Sequence, residues 1–186
     1  MSPAIPRTSD AEIIAAARHL IASKGAPAMT LRDVADAVGI RTPSLYKRFA
    51  NREALLQRVK DEVLADLQRD LEEAVSGEIP IDAVSLMARA YRARALAQPH
   101  LYRLMHMPAL KTSALAAEHR AAAPALDLMA ELVGPQNALH AARCFTSLLH
   151  GFVTMEIDGS FGFGGSVDEA FDFSLATLVT GLRAGP

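Results

Sequence analysis

Arg41, Thr42, Ser44, Tyr46, Lys47 and Arg48 crowd hydrogen-bond donors into one short stretch of the chain. Such groups donate to phosphate oxygens and to base edges, which is the chemistry of a protein that reads double-stranded DNA. Arg41, Thr42, Pro43 and Ser44 fall at the start of a short helix, where they would stand near base edges. Arg32, Tyr46, Lys47 and Arg52 would anchor phosphates, and Thr30 joins them at a helix end whose free N–H groups and positive dipole favour an anion.

Two short helices joined by Gly39 have to position these residues. Thr30 with Asp33 three residues on reads as a capping box, and Leu31, Val34, Ala35 and Val38 repeat at helical spacing. Thr42 reads as the N-cap of the second helix, with Pro43 in its first position and Leu45 and Phe49 inward. An earlier helix starts at Ser9-x-x-Glu12, buries Ile13, Ile14, Ala17, Leu20 and Ile21, and stops at Gly25 before Pro27. It braces a helix-turn-helix.

Ala16, Gly25, Thr30, Leu31, Val34, Ala35, Val38, Gly39, Leu45, Tyr46, Phe49, Arg52, Glu53, Leu55 and Leu56 stand where one family's pattern requires them. That pattern resembles the tetracycline-repressor (TetR) family of bacterial regulators over the first third of the chain. Arg48 stands where the family often has His and Arg52 where Lys is commoner, and both keep or add positive charge. The resemblance implies a dimer that binds a palindromic operator, and a second half that takes a small, usually lipophilic effector.

The 186 residues carry a formal net charge of −2, distributed unevenly. Residues 1–60 hold ten Lys and Arg against five Asp and Glu, whereas residues 61–186 hold nine against sixteen. A basic head steers toward DNA while an acidic body avoids coating it indiscriminately. The longest stretch free of charged residues, Cys144 to Met155, is too short to span a membrane, and the first residues lack the apolar core of a signal peptide. With Cys144 the only cysteine, the expectation is a reducing, cytoplasmic compartment.

The whole chain reads as all-α, about nine helices, with a DNA-binding domain over 1–52 and an effector-binding and dimerisation domain over 53–186. A long fourth helix runs from Asn51 toward Ser76, and others cover Pro80 to Gln98, His100 to Leu110, Ser113 to Leu132, Pro135 to Ile157 and Val167 to Leu182. Pro124 is placed to kink the seventh, and Ser166-x-x-Glu169 starts the last.

Tyr91, Tyr102, Met105, His106, Met129, Phe145, Leu149 and Phe152 are candidates to line an apolar effector pocket, against the alternative of plain core. Cys144, Ser147, Gly151 and Thr154 form a small-residue stripe, and Phe171, Leu175, Leu178 and Leu182 an apolar one, both suited to a two-fold dimer or to internal packing.

Three further constellations carry weaker chemistry. Gly159-Ser-Phe-Gly-Phe-Gly-Gly165 lacks the Gly-Lys-Ser/Thr and the preceding strand of a phosphate cradle, so it reads as an interhelix loop. His140 and Cys144, one turn apart, would suit a redox- or metal-sensing regulator, but no further ligand falls at metal-site spacing, so no metal or other cofactor is expected. Glu156 and Asp158 point to different sides of a helix end and read as solvated, and no catalytic constellation supports a helical enzyme with a DNA-binding head.

Overall fold

Capping decides where the first helices start. In the computed structural model, which describes residues 8–108 and 115–184, Ser9 N–H donates to Glu12 Oε2 at 2.6 Å and Glu12 N–H to Ser9 Oγ at 3.2 Å. This opens α1 (Asp10–Lys24), and the backbone hydrogen bond from Ser9 holds the Glu12 carboxyl below its ordinary range. Gly25 ends α1 at φ +81°, where a Cβ would meet the His100 ring at 3.4 Å. After a 3-10 turn, Ala26–Ala28, Thr30 and Asp33 form the second capping box and start α2 (Leu31–Ala37).

Asp33 holds two partners at once. Its Oδ2 accepts from Thr30 N–H at 3.1 Å and from the Lys24 ammonium at 2.6 Å, and these bonds, Lys24's first, lower its pKa to about 2. A carboxyl depressed in the folded state stabilises it above the unfolded pKa of about 4, and that contribution disappears as pH falls toward 2. The acid limb of thermal stability between those values should therefore shrink in Asp33→Asn, measured as melting temperature against pH. An unchanged acid limb would show that other carboxyls set it.

Gly39, at φ +69°, turns the chain into α3 (Thr42–Tyr46). The N-cap is Arg41 rather than Thr42, with no side-chain cap bond; Thr42 is the first helical residue and Pro43 follows it. The substitution of roles costs little, because the first four N–H groups of a helix lack intrahelical partners and proline removes one of them. Leu45 and Phe49 point inward as expected, each buried.

The described residues divide into two compact units, each with its own core. Thr8 to Leu64 and Gln98 to Pro108 form the first; Ala65 to Ala97 and Ala116 to Ala184 form the second. The first compact unit thus extends past residue 52 and takes in a later segment of the chain. The early turns of α4 (Arg52–Val75) belong with the first unit, as does α6 (Pro99–Met105), which packs on α1 and the 3-10 turn. Ile13, Ile14, Ala17, Ile21, Val34, Leu45, Leu55 and Val59 fill this first core.

In the second unit, α5 (Pro80–Ala97) packs on α8 (Ala138–Ile157) and α9 (Val167–Ala184), and nearly all of α7 (Leu115–Val133) belongs to the same unit. Its core includes Val84, Met87, Met129, Phe145, Leu149, Val153, Phe171 and Leu175. Among the described residues there are helices and turns but no strand. Helix α6 ends at Met105, short of the expected Leu110, whose position lies outside the described residues. α8 starts at Ala138 because Pro135 falls in the preceding turn, and Pro124 is accommodated inside α7. Ser166 Oγ accepts from Glu169 N–H at 3.3 Å, as the expected start of α9 requires.

Candidate nucleic-acid interface and the helical body

The helix-turn-helix leaves one side of α3 in solvent. Arg41, Pro43, Ser44, Tyr46 and Lys47 are exposed, Tyr46 at 54%, while Thr42 is half-buried. Thr30 and Arg32 are also exposed, Arg32 lying 3.8 Å from Asp36 in a solvated i,i+4 pair worth only a few tenths of a kcal/mol. An anion could displace Asp36 from Arg32 at small cost.

Two arginines of the motif have other partners. Arg52 Nε donates to Met29 O at 3.0 Å and its Nη2 to Ala26 O, so the guanidinium expected to reach a phosphate ties α4 to the 3-10 turn. Arg48 pairs with Asp10 at 3.2 Å, linking the end of α3 to the start of α1. These contacts fix the frame from which Arg41, Ser44 and Lys47 project.

Lys60 is a buried charge inside the first unit. It lies 3% exposed within the apolar stripe of α4, and its ammonium donates to Met107 O at 2.5 Å. Met107 lies just past the end of α6, so the ammonium stands near the negative end of that helix. The available signal was a lysine between Val59 and Val63, where the stripe calls for an apolar residue.

The expected effector residues do not share one unit. Tyr102, Met105 and His106 belong to the first, where Tyr102 and His106 meet edge-on with centroids 4.7 Å apart. Tyr91, Met129, Phe145, Leu149 and Phe152 belong to the second. There Met129, Phe145 and Leu149 are at most 2% exposed, as core side chains are. A cavity of about 510 Å³ opens in this unit on other residues, among them Val133, His140, Cys144, Thr177, Leu178 and Leu182.

The same unit revises the dimer stripes. Phe171 and Leu175 are 1% and 2% exposed within one chain, so they serve its core and leave no surface for a partner. The exposed side of α9 carries Phe173, Ala176, Thr177, Thr180 and Gly181 instead, with Leu178 and Leu182 half-buried at its edge. On α8, Cys144, Ser147 and Gly151 are exposed as a partner surface requires, while Thr154 is half-buried with its hydroxyl lacking a hydrogen-bond partner.

Glu156 is not the solvated helix end that its sequence position suggests. Its carboxylate takes two hydrogen bonds from Arg92, at 2.5 and 2.7 Å, and both side chains are about 15% exposed or less. Arg92 also meets Asp168 at 2.7 Å and lies over the Phe171 ring, 4.7 Å from its centroid. The bonds to Glu156 raise the guanidinium pKa still further above its ordinary value, so the charge is permanent. One side chain thus fastens α5, α8 and α9.

Among the described residues no three His, Cys, Asp or Glu gather as metal ligands, and no helix is long and apolar enough to cross a membrane. The geometry defines an all-helical protein with a helix-turn-helix DNA-binding head. The N-terminal profile of bacterial regulatory proteins of the tetR family matches residues 13–59, and that of the tetracyclin repressor-like C-terminal domain matches residues 84–178. The chain belongs to this family of transcriptional regulators.

An uncharacterised HTH-type transcriptional regulator of Mycobacterium tuberculosis is 31% identical over 82% of this chain and 72% of its own length. A Rhodococcus sp. RHA1 protein of unknown function superposes with a TM-score of 0.84 at 25% identity, covering 98% of this chain and 100% of that one. A TetR variant from Acinetobacter baumannii AYE, solved in complex with minocycline, superposes at 0.71 with 23% identity, over 96% and 98% of the two chains.

Proposed function

We propose that the chain is a dimeric repressor that holds a palindromic operator and lets it go when a small lipophilic molecule binds the helical body. The observation that carries the DNA half of this reading is the solvent side of α3. Arg41, Ser44, Tyr46 and Lys47 are exposed there, on a helix clamped from behind by Leu45, Phe49 and the Arg48–Asp10 pair. Arg41 to Ser44 read base edges, while Arg32, Tyr46 and Lys47 hold phosphates. Thr30 contributes the N-terminus of α2, and Arg52 acts by positioning.

A dimer follows from the operator symmetry, since two heads must meet half-sites about 34–36 Å apart or a multiple of it. The exposed small-residue sides of α8 and α9 supply the contact. The Acinetobacter protein of the same fold was solved in complex with minocycline, which supports a small-molecule effector in this body. Release requires differential affinity: a tenfold loss of operator affinity needs about 1.4 kcal/mol of discrimination between the two head spacings. Helix α4, continuous from Arg52 to Val75 and shared by both units, is the lever. The protein works in the cytoplasm and performs no chemistry.

Fluorescence anisotropy on a duplex selected by the protein tests this reading. The expected result is two chains per palindrome, and release by a compound carried through purification or found by screening hydrophobic ligands. Saturation at one chain per palindrome would contradict it.

A further inference from the structure

The loop between α8 and α9 and the cavity of the second unit lie at opposite ends of one antiparallel helix pair. At the loop end, Phe152 of α8 packs on Phe171 of α9 and on Phe161 of the loop, with centroids 5.0 and 4.8 Å apart. Beyond Phe161 the chain runs Gly162-Phe163-Gly164-Gly165, and Phe163 stands fully in solvent at 106% relative exposure. Gly164 and Gly165, at φ +85° and +84°, hold a backbone conformation that side-chain-bearing residues rarely adopt. The loop is built to present that ring.

At the other end, the start of α8, the end of α9 and Val133 of α7 line an open groove of about 510 Å³, apolar apart from a few polar tips such as His140 and Thr177. Phe163 cannot reach the groove of its own chain, because α8 from His140 to Ile157 rises about 25 Å at 1.5 Å per residue. From the groove, whose own lining includes Cys144, Thr177 and Gly181, the exposed Ser147 and Gly151 of α8 and Ala176 of α9 run toward the loop, with Phe173 as the one large exposed side chain beside them on α9. The short side chains let another helix pair approach closely. A two-fold axis lying in that face and perpendicular to the helices exchanges the ends, setting each loop over the other chain's groove.

We propose that the occupant of this groove is a second copy of the chain, which seats Phe163 there reciprocally. The inference rests on the dimer reading above and names the contact that closes the interface. The area supports it. Two helices side by side present a face of roughly 30 by 20 Å, short of the about 800 Å² per partner that a stable interface takes. A seated phenylalanine adds about 150–250 Å². Phe163 is thereby an aromatic anchor in a pocket, the kind of residue on which binding energy concentrates.

The test uses the single native thiol, Cys144, which is exposed and lines the groove. In full-length Phe163→Cys treated with diamide, which takes up the two electrons and two protons released by the thiols, a disulfide-linked dimer is expected on a non-reducing gel. Neither the unsubstituted chain nor Phe163→Cys combined with Cys144→Ser should form it. Phe163→Ala should raise the dimer dissociation constant about tenfold. Sedimentation separates the two claims: a dimer of the Phe163→Cys chain without the cross-link overturns the loop contact and leaves the dimer standing. A monomer of the unsubstituted chain at micromolar concentration overturns both. Cross-linking of that chain through Cys144 alone would put the partner's α8 over the groove and overturn the loop contact.

Discussion

Replacing Arg92 with alanine is expected to destabilise the second unit by about 2–3 kcal/mol, below the full range for breaking a buried ion pair from one side because both side chains keep some exposure. The loss is large because Glu156, with its side chain 15% exposed, would keep its charge without the two hydrogen bonds that compensate its burial. Asp168, 81% exposed, would simply rehydrate and contributes little. The Phe171 ring would also lose the guanidinium above it. Urea denaturation measures the effect. Combining Arg92→Met with Glu156→Gln should recover most of the stability, since an apolar side chain and a neutral amide remove the stranded charge. A loss below about 1 kcal/mol for Arg92→Ala would place the pair among ordinary surface bridges.

Lys47→Ala should weaken binding to all duplexes alike, because an ammonium on a phosphate carries no sequence information. Each neutralised phosphate contributes about −0.9 to the slope of log affinity against log salt, so losing Lys47 from both chains of a dimer should flatten it by about two. Arg41→Ala should instead relax sequence preference near the start of α3, costing about 1–3 kcal/mol on the preferred duplex and little on others. Anisotropy titrations between about 50 and 200 mM salt resolve both effects. A slope unchanged by Lys47→Ala would remove that residue from the footprint.

Features that depend on near neighbours in the chain were legible in the sequence. Ser9 with Glu12, Thr30 with Asp33, and the cap of Ser166 on Glu169 N–H each need only three residues' separation, and each is present. The inward stripe of Leu45 and Phe49 follows from helical spacing for the same reason. Thr42 suits an N-cap by residue type, whereas the backbone already turns helical at that residue and leaves the cap to Arg41.

What escaped depends on partners distant in sequence. Arg52 resembles a phosphate anchor until Ala26 and Met29 present it with carbonyls. Glu156 looks solvated until Arg92 arrives from α5, and Lys60 looks like a surface lysine until the end of α6 covers it. The periodicity of α9 offers Phe171–Leu175 and Phe173–Thr177 as neighbouring faces, and only packing on α5 and α8 decides which is core. Periodicity names a face but not its neighbour.

Selection of binding sites from a random pool of duplex DNA tests the central claim most directly. The expected result is enrichment of an inverted repeat whose half-sites are centred about 34–36 Å apart or a multiple of it, with enrichment at the inner positions lost in Arg41→Ala. Recovery of no symmetric sequence, or of the same repeat by a chain lacking Arg41, Ser44 and Lys47 together, would contradict it.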